Sequence, residues 1–98
     1  MFKKNYTVFV DDNFHYMDAN ERYKKGKYKT LEEAISVCEK IVDENLEELY
    51  APEMSSRELM TRYCLFGEDP WISGAEKIPF HARNYAEERI DQLINKKI

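Results

Sequence analysis

Glycine and proline are scarce here, three of each in 98 residues, and hydrophobic residues reach 43%. That combination excludes a loop-dominated, collagen-like or disordered chain. Cysteine is nearly absent: Cys38 and Cys64 are the only two, with neither a C-x-x-C nor a metal-ligand spacing. Both fall among apolar positions of helical pattern, so they read as buried free thiols in a reducing compartment. No segment approaches the roughly 20 apolar residues of a membrane span. Met1-Phe2-Lys3-Lys4-Asn5 also lacks the apolar run of a signal peptide. The expectation is a cytoplasmic protein without membrane contact. A basic surplus is missing too, since fifteen Lys and Arg face nineteen Asp and Glu for a net charge of −4. Duplex binders need such a surplus to displace counterions, so no nucleic-acid partner is expected.

What remains is enough for one folded domain over residues 1–98. No composition shift or linker divides the chain. At roughly 25 cal/mol per Å² buried, one compact core can offset chain entropy without metal or disulfide staples.

Apolar and reactive side chains are densest in Val8-Phe9-Val10-Asp11-Asp12-Asn13-Phe14-His15-Tyr16-Met17-Asp18. Tyr6 to Val10 is aromatic and β-branched, which predicts a strand. The unbroken Val8, Phe9 and Val10 suggest core on both of its sides. Asp12-Asn13 suits a tight hairpin turn, because both residues tolerate positive φ. Phe14 to Met17 would then return as a strand, with Val10 facing His15 and Val8 facing Met17. The alternative is that Asp12 caps a short helical turn. Tyr23 to Lys29 is a kinked strand, or a helical turn ended by Gly26 before a short strand. Its four lysines read as a solvated edge protected from further pairing.

Thr30 and Glu33 predict a capping box. Leu31, Ala34, Ile35, Cys38, Ile41, Val42, Leu46 and Leu49 then follow at helical spacing, and Pro52 stops the helix. Glu32, Glu39 and Asp43 lie close to one stripe, read as a solvated face or one that meets a basic partner. Ser55 and Glu58 repeat the capping box ahead of Leu59, Met60, Tyr63 and Cys64, with a stop at or before Gly67. Gly67-Glu68-Asp69-Pro70 is turn chemistry, followed by extended or irregular segments around Gly74. A last helix runs from Ala82 to Asn95, with Tyr85, Ala86, Ile90, Leu93 and Ile94 as its apolar stripe.

No motif assigns a reaction. Asp11, Asp12, His15 and Asp18, joined by Glu68, Asp69 or His81, have the donor types of a metal or acid–base site. Metal binding needs such donors within about 2.0–2.6 Å of one point. The spacing matches neither a Ca²⁺ loop nor an H-E-x-x-H helix, so no metal and no cofactor is assigned. Cys64 or Ser73 with His15 or His81 lacks any nucleophile motif. Phe14, Tyr16, Tyr23, Tyr28 and Trp71 offer aromatic recognition, since Tyr and Trp bury area while keeping a polar tip.

Val10 to Asp18, then Glu21-Arg22-Tyr23, then Phe66-Gly67-Glu68-Asp69-Pro70 resemble a family of small, uncharacterised bacterial proteins that carry these blocks in the same order. The likeness spans nearly the whole chain and implies no activity. Where His81 stands, the relatives tend to carry a small hydroxyl residue, which argues against a special role for it.

The expected fold is α+β, a small and mostly antiparallel sheet on one long and two shorter helices. The expected function is a non-enzymatic interaction or ligand-binding module, with a protein partner or self-association. The alternative is a small metal-assisted or acid–base hydrolase built on residues 11–18. Candidate binding residues are Asp11, Asp12, His15, Tyr16, Asp18, Glu68, Asp69 and Trp71, with none assigned as catalytic.

Overall fold

The computed structural model describes residues 5–13 and 22–95. They form, in order, β1 (Tyr6–Asp12), β2 (Tyr23–Tyr28), α1 (Leu31–Leu49), α2 (Ser56–Phe66), β3 (Glu68–Ser73) and α3 (Ala82–Asn95). The sheet order is β2-β1-β3, and both pairings of the central strand are antiparallel. This is the α+β architecture expected from the chain.

α1 and α2 start where short polar side chains satisfy free backbone N–H groups. The Thr30 hydroxyl accepts from the Glu33 N–H at 3.1 Å. At α2 the box is reciprocal: Ser55 Oγ accepts from the Glu58 N–H, and the Glu58 carboxylate accepts from the Ser55 N–H. Along α1, buried Ala34, Cys38, Ile41, Val42 and Leu46 repeat at helical spacing. They meet Leu59 and Tyr63 of α2, Ala82, Ala86 and Ile90 of α3, and Val8, Val10 and Ile72 of the sheet in one buried cluster. No described helix is long and apolar enough to cross a membrane.

Asp43 is not a solvated member of an acidic stripe. Its Oδ1 accepts from Tyr85 Oη and from Arg89 Nε, each at 3.0 Å, tying α1 to α3. Cys38 is buried as expected, and burial, reinforced by Asp69 and Glu39, pushes its thiol up to about 12. Cys64 is only half-buried, and both are free thiols.

The sheet departs from expectation in three places. Val10 lies between Tyr23 and Pro70, and Val8 between Gly26 and Ile72. Both edges of β1 are therefore occupied by β2 and β3, and Asp12 belongs to the strand rather than to a tight turn. His15 and Met17, expected opposite Val10 and Val8, lie outside the described residues. Glu68-Asp69-Pro70 is strand too. Pro70 is tolerated because β3 is an edge strand, where one side of the backbone needs no donor. Phe9 is not core: the buried cluster and the side chains packed on it include Val8 and Val10 but not Phe9. Alternation along a strand sends Phe9 to the face opposite its neighbours.

Two close backbone approaches hold β3 in place. The Gly67 N–H donates to the Tyr63 carbonyl at 2.9 Å. A Cβ on Gly67 would stand 2.6 Å from Tyr63 Cδ1 and 2.7 Å from that carbonyl oxygen, so only glycine fits. At the other end Gly74 has φ of +108°, outside the ordinary range of side-chain-bearing residues.

Candidate binding face

The two faces of the sheet have different chemistry. Val8, Val10, Pro70 and Ile72 point to the helices and are buried. Phe9, Asp11, Asp69 and Trp71 occupy the alternate positions and form the outer face.

Cross-strand register arranges that outer face in rows, since directly opposed residues share a face. One row holds Lys24, Phe9 and Trp71. A second holds Lys27, Thr7 and Ser73. At the far end Asp11 opposes Asp69, and Arg22 immediately precedes β2. Strict alternation along β2 would send residues 24 and 27 to opposite faces. The register shift opposite Val8 and Phe9 makes Lys25 an extra residue, so both Lys24 and Lys27 reach the outer face. The kink expected near Gly26 is this bulge.

Phe9 and Trp71 stack with ring centroids 4.8 Å apart and planes 25° from parallel. The Arg22 guanidinium lies 5.1 Å from the Trp71 ring centroid, within cation–π range. The same guanidinium donates twice to Asp11, from Nε to Oδ1 at 2.6 Å and from the terminal nitrogen to Oδ2 at 3.3 Å. A fork of this kind fixes orientation as well as charge. The pair is about two-fifths exposed, so it contributes little to stability and chiefly holds Arg22 over the indole. The Trp71 indole N–H is shielded from solvent and has no acceptor among the described residues.

Asp69 is the second carboxylate of the face. Partial burial raises its pKa above the usual carboxylate value, and the facing Asp11 raises it further, while Arg83 and His81 offset part of the effect.

Asp12 and Glu68 oppose each other at the alternate, helix-facing register. Glu68 is structural there. Its N–H donates to Asn45 Oδ1 at 2.8 Å, Asn45 Nδ2 donates to its carboxylate at 3.3 Å, and Tyr63 Oη donates to its carbonyl at 2.7 Å. Tyr23 also bonds to the Glu68 carboxylate, and burial together with that carboxylate raises its phenol to about 12. Asn13 closes the network, its backbone N–H donating to Gly67 O and its Nδ2 to Tyr63 O, each at 3.0 Å.

The structure thus brings Asp11, Asp69 and Trp71 together and turns Asp12 and Glu68 away from them. His15, Tyr16 and Asp18 lie outside the described residues, as does Phe14. Among the described residues no three of His, Cys, Asp and Glu are grouped as a metal ion requires. Among the described residues, an open groove between α2 and α3 beside Arg57 and Glu87 holds no candidate residue, and another, between β2 and α1, is bordered by Tyr28 alone of the candidates. Of the aromatic candidates, Tyr28 packs on the core, Tyr23 is exposed beside Glu68, and Trp71 lies half-buried on the outer face.

Sequence reasoning missed Phe9, Arg22, Lys24 and Lys27 as members of this face. Strand alternation could have separated Phe9 from Val8 and Val10. Nothing local marks Arg22, because its partners come from two other strands.

No family model matches the chain, and no curated protein or solved structure does so either.

Proposed function

We propose that this chain is a non-enzymatic, cytoplasmic binding module that receives a protein partner on the outer face of its sheet. The observation that carries the reading is the Phe9–Trp71 stack, held under Arg22 on the side of the sheet away from the core. Folding does not need two large rings there. Aromatic and arginine side chains are the residue types that dominate binding hot spots. Covering the remaining exposed area of such rings offers a partner a few kcal/mol, at roughly 25 cal/mol per Å². Free thiols at Cys38 and Cys64 suit the reducing cytoplasm. The likeness of its sequence blocks to small bacterial proteins belongs to the same proposal and adds no activity.

A metal-assisted or acid–base hydrolase would need the carboxylates to converge with a histidine. Asp11 and Asp69 lie on one face and Asp12 and Glu68 on the other, so these four carboxylates do not meet at one point.

Mapping of a peptide and small-aromatic library by NMR tests the reading, with the single Trp71 indole as an internal marker. Hits should perturb Thr7, Phe9, Arg22, Lys24 and Trp71 together, and Trp71→Ala should abolish them while leaving the fold intact. Hits confined to the helical grooves or to Asp12 and Glu68 would sink it. Sedimentation equilibrium on the same samples separates a second copy of the chain from a different partner.

A further inference from the structure

Resting on the outer face as the contact surface, we infer that its partner is an acidic protein segment with an apolar anchor, laid along the β2 side of the Phe9–Trp71 platform.

The charge on the face is polarised across the strands. Asp69 stands at the β3 corner, opposite Asp11, and Asp11 is already engaged by Arg22. Lys24 opposes Phe9 and Lys27 opposes Thr7, both exposed. Neither lysine makes an ion pair among the described residues. Positive charge without an ion-pair partner among the described residues therefore flanks the aromatic platform on the β2 side, while the carboxyl at the opposite corner, Asp69, has Arg83 and His81 near it. The protein as a whole is acidic, at −4, so this basic strip is a local feature and not a consequence of composition.

The bulge adds an independent reason. Without the extra residue at Lys25, one of the two lysines would turn toward the helices. Solubility or edge protection requires lysines only somewhere on the strand. It does not require two of them on the face that carries the ring stack. Their spacing beside the platform suits an extended segment whose apolar side chain covers Phe9 and Trp71 while its carboxylates reach over β2. A basic segment meets repulsion along that whole side. A second copy of this chain docked edge to edge through β2 would set lysine against lysine.

Synthetic extended peptides in an alternating pattern around a central phenylalanine provide the test. One carries glutamate at the polar positions, one glutamine and one lysine, and oligothymidylate serves as a nucleic-acid arm. Trp71 fluorescence and NMR shifts at Phe9, Lys24 and Lys27 are followed at low and at moderate salt. The glutamate peptide should bind most tightly and the lysine peptide least, with the difference shrinking as salt rises. The double variant Lys24→Glu with Lys27→Glu should weaken the glutamate peptide about tenfold and strengthen the lysine peptide. Lys40→Glu with Arg62→Glu, at exposed positions of α1 and α2, changes net charge equally away from this face and should leave the order unchanged.

Equal binding of the three peptides at Trp71 overturns the acidic partner while leaving the outer-face reading intact. Tighter binding of oligothymidylate, an unchanged order in the Lys24/Lys27 variant, or no response to any peptide also overturns it. Peptide shifts that appear only in the helical grooves would overturn both the inference and the reading it rests on.

Discussion

Asp69 is the residue at which the outer face opposes folding. Its carboxyl titrates above the ordinary value, because burial and then Asp11 disfavour the charged form. Between the unfolded and the folded pKa, the folded state binds more protons than the unfolded one. Stability therefore falls as pH rises through that window. Asp69→Asn removes the titration. Relative to the parent, this variant should gain stability as pH rises from below the ordinary carboxylate pKa to above the raised one, then hold that gain toward neutrality. Urea unfolding across acid to neutral pH reads it, and a difference that does not change with pH would show the shift to be absent. Trp71 imposes a second cost at the same place, since a shielded N–H without an acceptor is ordinarily worth about 1–3 kcal/mol. Both unfavourable residues lie on the face of the sheet that contributes little to the core.

Among the elements, α1 and α2 are capped by their own neighbouring residues and depend on other segments elsewhere. The α2 capping box satisfies two N–H groups with residues three apart in sequence. Ser55→Ala should cost about 1 kcal/mol in chemical denaturation, with no change in any binding to the sheet. The strands behave differently. β1 gains its partners from residues far ahead in the chain, and β3 is anchored at Glu68 by Asn45 and Tyr63, while Asn13 holds Gly67 just ahead of it. A strand of six residues that contains proline has little reason to form except against such partners.

For the molecule as a whole, the separation of the core from the outer face of the sheet predicts two distinct mutational outcomes. Leu46 is completely buried in the middle of the cluster. Leu46→Ala should cost about 2–5 kcal/mol, a large part of the roughly 5–15 kcal/mol available to a domain of this size. Phe9→Ala removes a larger side chain but opens no cavity in that cluster. It should lower the melting temperature less than Leu46→Ala and eliminate ligand-induced change in Trp71 fluorescence. Calorimetry and fluorescence on the two variants check both halves. If Phe9→Ala unfolds the protein, the outer face is a second core and not a surface.

Three helices were readable from neighbouring residues: Thr30, Pro52, Ser55 and the 82–95 stripe mark their bounds within a turn or less. Caps, breakers and a 3.6-residue period act over three or four positions, so one stretch of chain contains the whole interaction. The strand at Tyr6 to Val10 was readable for the same reason. Its partners were not, because Val10 lies opposite Tyr23 and Pro70 in a register that no local pattern encodes. Asp43 looked like one more surface acid until Tyr85 and Arg89 arrived from α3. Residues 8–12 divided once the strand had neighbours on both sides: Val8 and Val10 inward, Phe9 and Asp11 outward. Composition and local pattern determined that this chain would make an α+β core. Which side chains were left over to form a face was decided by strand register and by one bulged residue, since both depend on contacts between segments distant in sequence.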